Sequence, residues 1–198
     1  MIKLKKKTPL IDQHNKLGFY GNKFGGNYCA ETMRKPIEDL SKLFEKLRKD
    51  RKFLKKRDHY FKHYLGGETP FFKLENLTRH LGGAQIWCKD VSAINGDAHK
   101  AYHATVNALI CKESGKRYIA GDTGAGMFGK NLAMAAKKMN LKCKIFMGTK
   151  DISRQAPNVK FMRDAGAEVV PVDSGSKTLV DAVSECMRHY VSNCDNTH

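Results

Sequence analysis

From residue 117 onward the sequence alternates short β-rich runs with helical runs and places glycine at the joints, a pattern that few folds accommodate. Arg117-Tyr118-Ile119-Ala120-Gly121 reads as a strand, and a glycine-rich turn leads from it into a helix over residues 131–139. A strand over 142–147 precedes a helix over 152–165, which Pro157 bends or delays. A strand over 168–172 and a helix over 178–191 follow. Upstream, residues 85–89 read as a short strand after the Gly82-Gly83 turn, and residues 98–112 as a helix. Short connections between alternating β and α runs are the signature of right-handed βαβ units on a parallel sheet. The expected fold is therefore α/β: a three-layer core with a parallel sheet over residues 66–198, preceded by a basic, mostly helical segment over residues 1–65.

That N-terminal segment shows apolar residues at helical spacing over residues 33–65: Ile37, Leu40, Phe44 and Leu47, then Leu54, Phe61 and Leu65. Pro36 suits a first helical turn. Lysines and arginines fill the other positions, among them Arg51, Lys52, Lys55, Lys56 and Arg57. Such a helix either binds nucleic acid or docks by one stripe and leaves a basic face in water. Weak aromatic interleaving on the charged face favours the second, so nucleic acid is not an expected partner. Over all 198 residues, 36 Lys+Arg against 20 Asp+Glu give a formal charge of +16, which suits anionic partners without selecting one. The longest apolar stretches fall well short of the roughly 20 residues of a membrane-spanning helix, and the basic start MIKLKKKTPLIDQ has no apolar core of a secretory signal. A membrane association is not expected.

The six cysteines, Cys29, Cys88, Cys111, Cys143, Cys186 and Cys194, form no CxxC pair, and the expectation is reduced thiols in a cytoplasmic protein. His59 and His63, like His99 and His103, are spaced to share a helix face, but neither pair belongs to an HExxH motif, and no metal site is assigned.

Two segments carry chemistry. Gly124, Gly126 and Gly129 spell GxGxxG between a strand and a helix, although no convincing acidic residue ends the next strand as a dinucleotide fold requires. More generally, backbone N–H groups at a helix N-terminus cradle phosphate or carboxylate, while the bland alternative is a tight turn with close helix–strand packing. Residues 98–100, Ala-His-Lys, open a helix after a loop containing Gly96. A lysine there, facing the same sheet edge as the glycine loop, has the setting of a Schiff-base lysine; the alternative is an ordinary surface lysine.

Taken together these segments resemble the tryptophan synthase β chain family of pyridoxal-phosphate enzymes, of fold type II. The likeness runs through Gly18-Phe-Tyr-Gly-Asn-Lys-Phe-Gly-Gly-Asn-Tyr, Gly67-Glu-Thr-Pro-Phe, Ala98-His99-Lys100, Asp122-Thr-Gly-Ala-Gly, the run from Phe146 to Asn158 and that from Arg163 to Leu179. It covers nearly the whole chain, but only the N-terminal half of the family's length. The resemblance implies pyridoxal 5'-phosphate as cofactor, held covalently by Lys100, with His99 near its phosphate. It implies Asp122 as the acid–base group and the backbone of Thr123, Gly124, Ala125 and Gly126 as the cradle of the L-serine carboxylate. The implied reaction joins indole to the β-carbon of serine to form L-tryptophan, in the cytoplasm, by a homodimeric β chain docked to an α chain.

Departures from the family pattern fall on this chemistry. Asp122 stands where the family has glutamate, which withdraws the carboxylate by about 1.5 Å. Met127-Phe128 replace a Gln-His pair, and Tyr102, His103 and Val106 replace small and amide residues. The family's second domain, with its phosphate loop, has no match here. Val180 stands where the family has the lysine that pairs with the α chain, which implies weak docking; Asp151 and Arg154 match charged residues of the communicating region. The expectation is a fragmentary β chain inactive by itself, with a non-catalytic homologue that binds a partner as the alternative.

Overall fold

A computed structural model describes residues 8–15, 17–21 and 23–198; the basic start at residues 1–7 and Asn22 of the glycine-rich opening lie outside the described residues. The chain divides into two compact units, residues 1–38 and 39–198. In the first, β1 (Phe19–Tyr20) and β2 (Phe24–Gly25) pair antiparallel as a short hairpin, closed by Gly26 N–H donating to Gly18 O at 2.9 Å. Helix α1 (Glu31–Leu47) begins in this unit and takes Pro36 into its second turn rather than its first.

The basic helical stretch is two helices, not one. Beyond α1 the chain breaks at residues 48–50 and restarts as α2 (Arg51–His63). Asp50 is the cause: its carboxylate accepts from the N–H groups of Lys52 at 2.7 Å and Phe53 at 3.4 Å, satisfying donors that have no partner inside a helix. Leu47 and Phe53 are buried in the main core, whereas Arg51, Lys52 and Lys55 are exposed, as a helix docked by one stripe requires.

The segment expected to begin the parallel sheet does not join it. β3 (Phe71–Lys73), α3 (Glu75–Leu81) and β4 (Trp87–Lys89) make a separate module in which β4 pairs antiparallel with β3. Gly82, left-handed at φ 61, ends α3 after two turns and sends the chain back, and Leu74 N–H to Ile86 O at 2.9 Å extends the ladder. The parallel sheet consists of β5 (Tyr118–Asp122), β6 (Lys142–Gly148) and β7 (Glu168–Val172), in the order β5-β6-β7. Residues 196–198 run parallel along the free side of β5, with His198 N–H donating to Tyr118 O at 2.9 Å.

Three layers result. α4 (Lys100–Glu113), α5 (Met127–Lys138) and α7 (Ala156–Asp164) cover one face, where Leu109, Leu132, Ile145 and Met162 are fully buried with Ala104, Ala108, Ala135 and Ala136. Alanines on the facing helices let them approach the sheet closely. The other face is covered by α8 (Leu179–Asn193), through a smaller core of Phe146, Val172 and Ala182. The helix expected over 152–165 is split into α6 (Thr149–Arg154) and α7 at Gln155, because Pro157 lacks the N–H that a continuous helix would donate to Ser153 O. No helix among the described residues is long and apolar enough to cross a membrane, and all six cysteines are free thiols.

Candidate active site

Two helix starts lie side by side at one end of the sheet. Helices α4 and α5 run parallel: the His103 ring stacks on Phe128 near their N-termini at 5.2 Å, and Lys112 Nζ reaches Met139 O near their C-termini at 3.1 Å. Their N-termini therefore sit at the edge where β5 ends, the edge at which ligands bind in open α/β sheets.

Lys100 is the first residue of α4 and is partly buried. The loop before it is bent by two successive left-handed residues, Gly96 at φ 110 and Asp97 at φ 60, and by Asp97 N–H bonding Ile94 O at 3.0 Å. The Lys100 ammonium makes no hydrogen bond or ion pair with any described residue. His99, beside it, is exposed at the N-cap position and gives the helix no side-chain cap.

At the end of β5 the chain enters the glycine loop. Thr123 is buried and already engaged: its N–H donates to Phe146 O at 3.1 Å, and its hydroxyl accepts from Gly129 N–H at 3.3 Å. The N–H groups of Gly124, Ala125 and Gly126 have no acceptor among the described residues. Of the four residues in the expected carboxylate cradle, three thus present unused backbone donors at the N-terminus of α5, while Thr123 props the loop. Asn158 of α7 ties the loop down through Nδ2 to Ala125 O at 3.0 Å. Gly126, at φ 84, packs so closely on Asn158 that a Cβ would lie 2.7 Å from the Asn158 Cβ. Helix α5 starts at Met127, directly after this left-handed residue and earlier than the expected residue 131.

Asp122 is the last residue of β5. Strand alternation sends Ile119 and Gly121 toward α4 and α5, and Ala120 and Asp122 toward α8. Burial raises the Asp122 carboxyl above the usual carboxylate range. Burial also pushes the Cys186 thiol on α8 up to about 12, with the nearby Asp122 charge adding to the effect. The structure brings Lys100 together with the glycine loop and turns Asp122 toward the opposite layer.

Two bonds strap the loop before Lys100 to α5. Asn131 Nδ2 donates to Gly96 O at 3.1 Å and to Met127 O at 2.9 Å, and Lys130 pairs with Asp97 at 2.5 Å. Asn131, Lys130, Asn158 and Cys186 escape a reading of the sequence for chemistry. The one signal is Asn131 itself, a lone amide followed by the small apolar run Leu-Ala-Met-Ala-Ala.

An unpartnered amine on a first helical turn beside a row of free backbone donors is a donor set that fits an aldehyde cofactor and the carboxylate of an amino acid. Residues 63–198 match the family model of the pyridoxal-phosphate dependent enzymes. The chain belongs to that family. It is 41% identical over 174 residues to the tryptophan synthase beta chain of Acinetobacter calcoaceticus, an alignment that covers 88% of this chain and 43% of the relative. The chain thus spans less than half the length of the curated relatives that it matches. Among solved structures, Escherichia coli diaminopropionate ammonia lyase in apo form superposes with a TM-score of 0.54 at 23% identity, over 72% of this chain and 43% of that one. A pyridoxal 5'-phosphate-dependent aspartate racemase superposes with a TM-score of 0.52 at 20% identity, over 82% and 44%. These two likenesses concern the fold.

Proposed function

We propose that this chain forms the lysine-bearing wall of a tryptophan-synthase-type site, which joins indole to the β-carbon of L-serine. The observation that carries the reading is the unpartnered Lys100 amine at the start of α4, beside the free N–H groups of Gly124, Ala125 and Gly126. Pyridoxal phosphate, when bound, supplies the electron sink that allows bonds at the serine α- and β-carbons to break. Lys100 would hold the cofactor through Nζ, and the same amine is placed to take and return the serine α-proton. The three N–H groups orient the serine carboxylate through the partial positive charge of the α5 N-terminus. In this reading Asp122, at the end of β5 directly before the glycine loop, is the acid–base group for departure of the serine hydroxyl. His99, exposed beside Lys100, would contact the cofactor phosphate. The natural setting is the cytoplasm, with a second β chain and an indole-producing α chain as partners. Val180, 73% exposed, offers that α chain no charge, so docking is weak.

A second reading rests on Asp122. Its side chain lies on the α8 side of β5 while α4 lies on the other, as a homologue that binds partners without turning over serine would tolerate. The deciding experiment is titration of the purified chain with pyridoxal phosphate, borohydride reduction and peptide mapping. A phosphopyridoxyl group on the Lys100 peptide, abolished by Lys100→Ala, supports the first reading. Label spread over exposed lysines with no preference for Lys100 overturns it.

A further inference from the structure

We propose that Asn131 is a positioning residue for Lys100, holding the start of α4 in register with the glycine loop through one side-chain amide. The inference rests on the reading of Lys100 given above and extends it to a residue with no chemistry of its own.

Asn131 is 3% exposed and sits in the second turn of α5. An asparagine amide has two N–H donors, and Nδ2 bonds two carbonyls. The bond to Met127 O, four residues back, is internal to α5 and fixes the rotamer. The bond to Gly96 O crosses to a different segment and ends four residues before Lys100. Gly96 is shaped for this contact. A Cβ at that position would lie 2.0 Å from Asn131 Oδ1 and 3.0 Å from the Ala101 Cβ, so the loop backbone is wedged between the amide and the first turn of α4. One buried group therefore joins the loop that delivers Lys100 to the first residue after the glycine loop.

The neighbouring strap is of another kind. Lys130 and Asp97 make an ion pair whose carboxylate is 62% exposed, where solvent screens the attraction and pairs contribute little. The buried amide has no such competition, and its removal leaves Gly96 O without its partner in a site that water reaches poorly. A helix start displaced by about 1 Å is enough to take a reacting amine out of line.

A role in core stability alone would also explain a buried asparagine, so the test needs a readout that stability does not move. Asn131→Asp keeps the shape but cannot make both bonds at once, since a carboxyl offers at most one O–H donor; Asn131→Ala removes the group. Each is compared with Val169→Ala, a core variant on β7 distant from Lys100, at denaturant conditions giving equal fractions folded. The first readout is amide hydrogen exchange over residues 94–101, which needs no cofactor. The second is pyridoxal-phosphate uptake at Lys100 after borohydride reduction. Both Asn131 variants are expected to speed exchange over 94–101 on the order of tenfold beyond Val169→Ala, and to weaken uptake at Lys100 by a similar factor. Exchange and uptake that follow global stability equally in all three variants would overturn the proposal. If the parent chain takes up no cofactor at Lys100 but exchange over 94–101 still rises selectively, the cofactor reading fails while the strap stands.

Discussion

The two faces of β5 differ in how they are built. Toward α4 and α5, the strand presents Ile119 and Gly121 to a core in which Leu109, Leu132, Ile145 and Met162 are fully buried. Toward α8 it presents Ala120 and Asp122 to a small core of Phe146, Val172 and Ala182, edged by the half-buried Val170 and Cys186. The large core packs together the bodies of α4 and α5, the helices that begin at Lys100 and at the glycine loop. The small one leaves a carboxyl and a thiol facing each other under partial burial, which costs some stability. A chemical group is thus carried on packed helices on one face and tuned by its surroundings on the other.

The sharpest break of this comparison is cavity formation on each side. Leu132→Ala removes a side chain 1% exposed and is expected to cost about 3 kcal/mol or more, against roughly 1–2 kcal/mol for Val172→Ala, measured by urea unfolding. Equal losses would show that the two faces are equally packed. Gly126→Ala comes next. A residue with a Cβ must hold φ 84 and push on Asn158, and we expect about 2–3 kcal/mol of destabilisation together with loss of the free N–H row. An unchanged unfolding midpoint would mean that the loop relaxes freely.

The smallest effect concerns Asp122 and has a defined sign. Its folded pKa is raised, so the unfolded carboxyl ionises first as pH rises. The Asp122 contribution to stability is most favourable below the ordinary aspartate pKa of 3.8 and falls as pH rises from there through the folded value. Asp122→Asn is therefore expected to raise the melting temperature at pH 7 and not at pH 3. The gain is at most about 2 °C, because water reaches much of the carboxyl and screens it. A fall in melting temperature at pH 7 would mean that the ionised carboxylate is stabilised by a partner.

How far the fold was legible depended on the element. The strand from Lys142 coincides with the pattern of apolar residues because it is central and buried on both faces from Ile145 onward, which writes it as a continuous run. The edge strand at Glu168–Val172 coincides too, with Glu168 and Pro171 exposed. Helix starts were less legible. Asp50 splits the basic helix with a side-chain cap, and Gly126 starts α5 early by accepting a left-handed φ; both are single-residue effects that periodicity does not register. The strand at Trp87–Lys89 was readable as a strand, but its antiparallel partner was not, since pairing direction depends on where Gly82 turns the chain.

The sequence by itself determined the α/β class, the lysine at a helix start and the glycine loop, because each is written in local spacing and in residue types with few conformational choices. Only the tertiary structure decided that Asn131 bridges the loop before Lys100 to α5, that Thr123 spends its N–H on Phe146, and that Asp122 turns toward α8. Each of these depends on which layer covers which face of β5. Residues far apart in the chain fill that layer, and no local pattern specifies it.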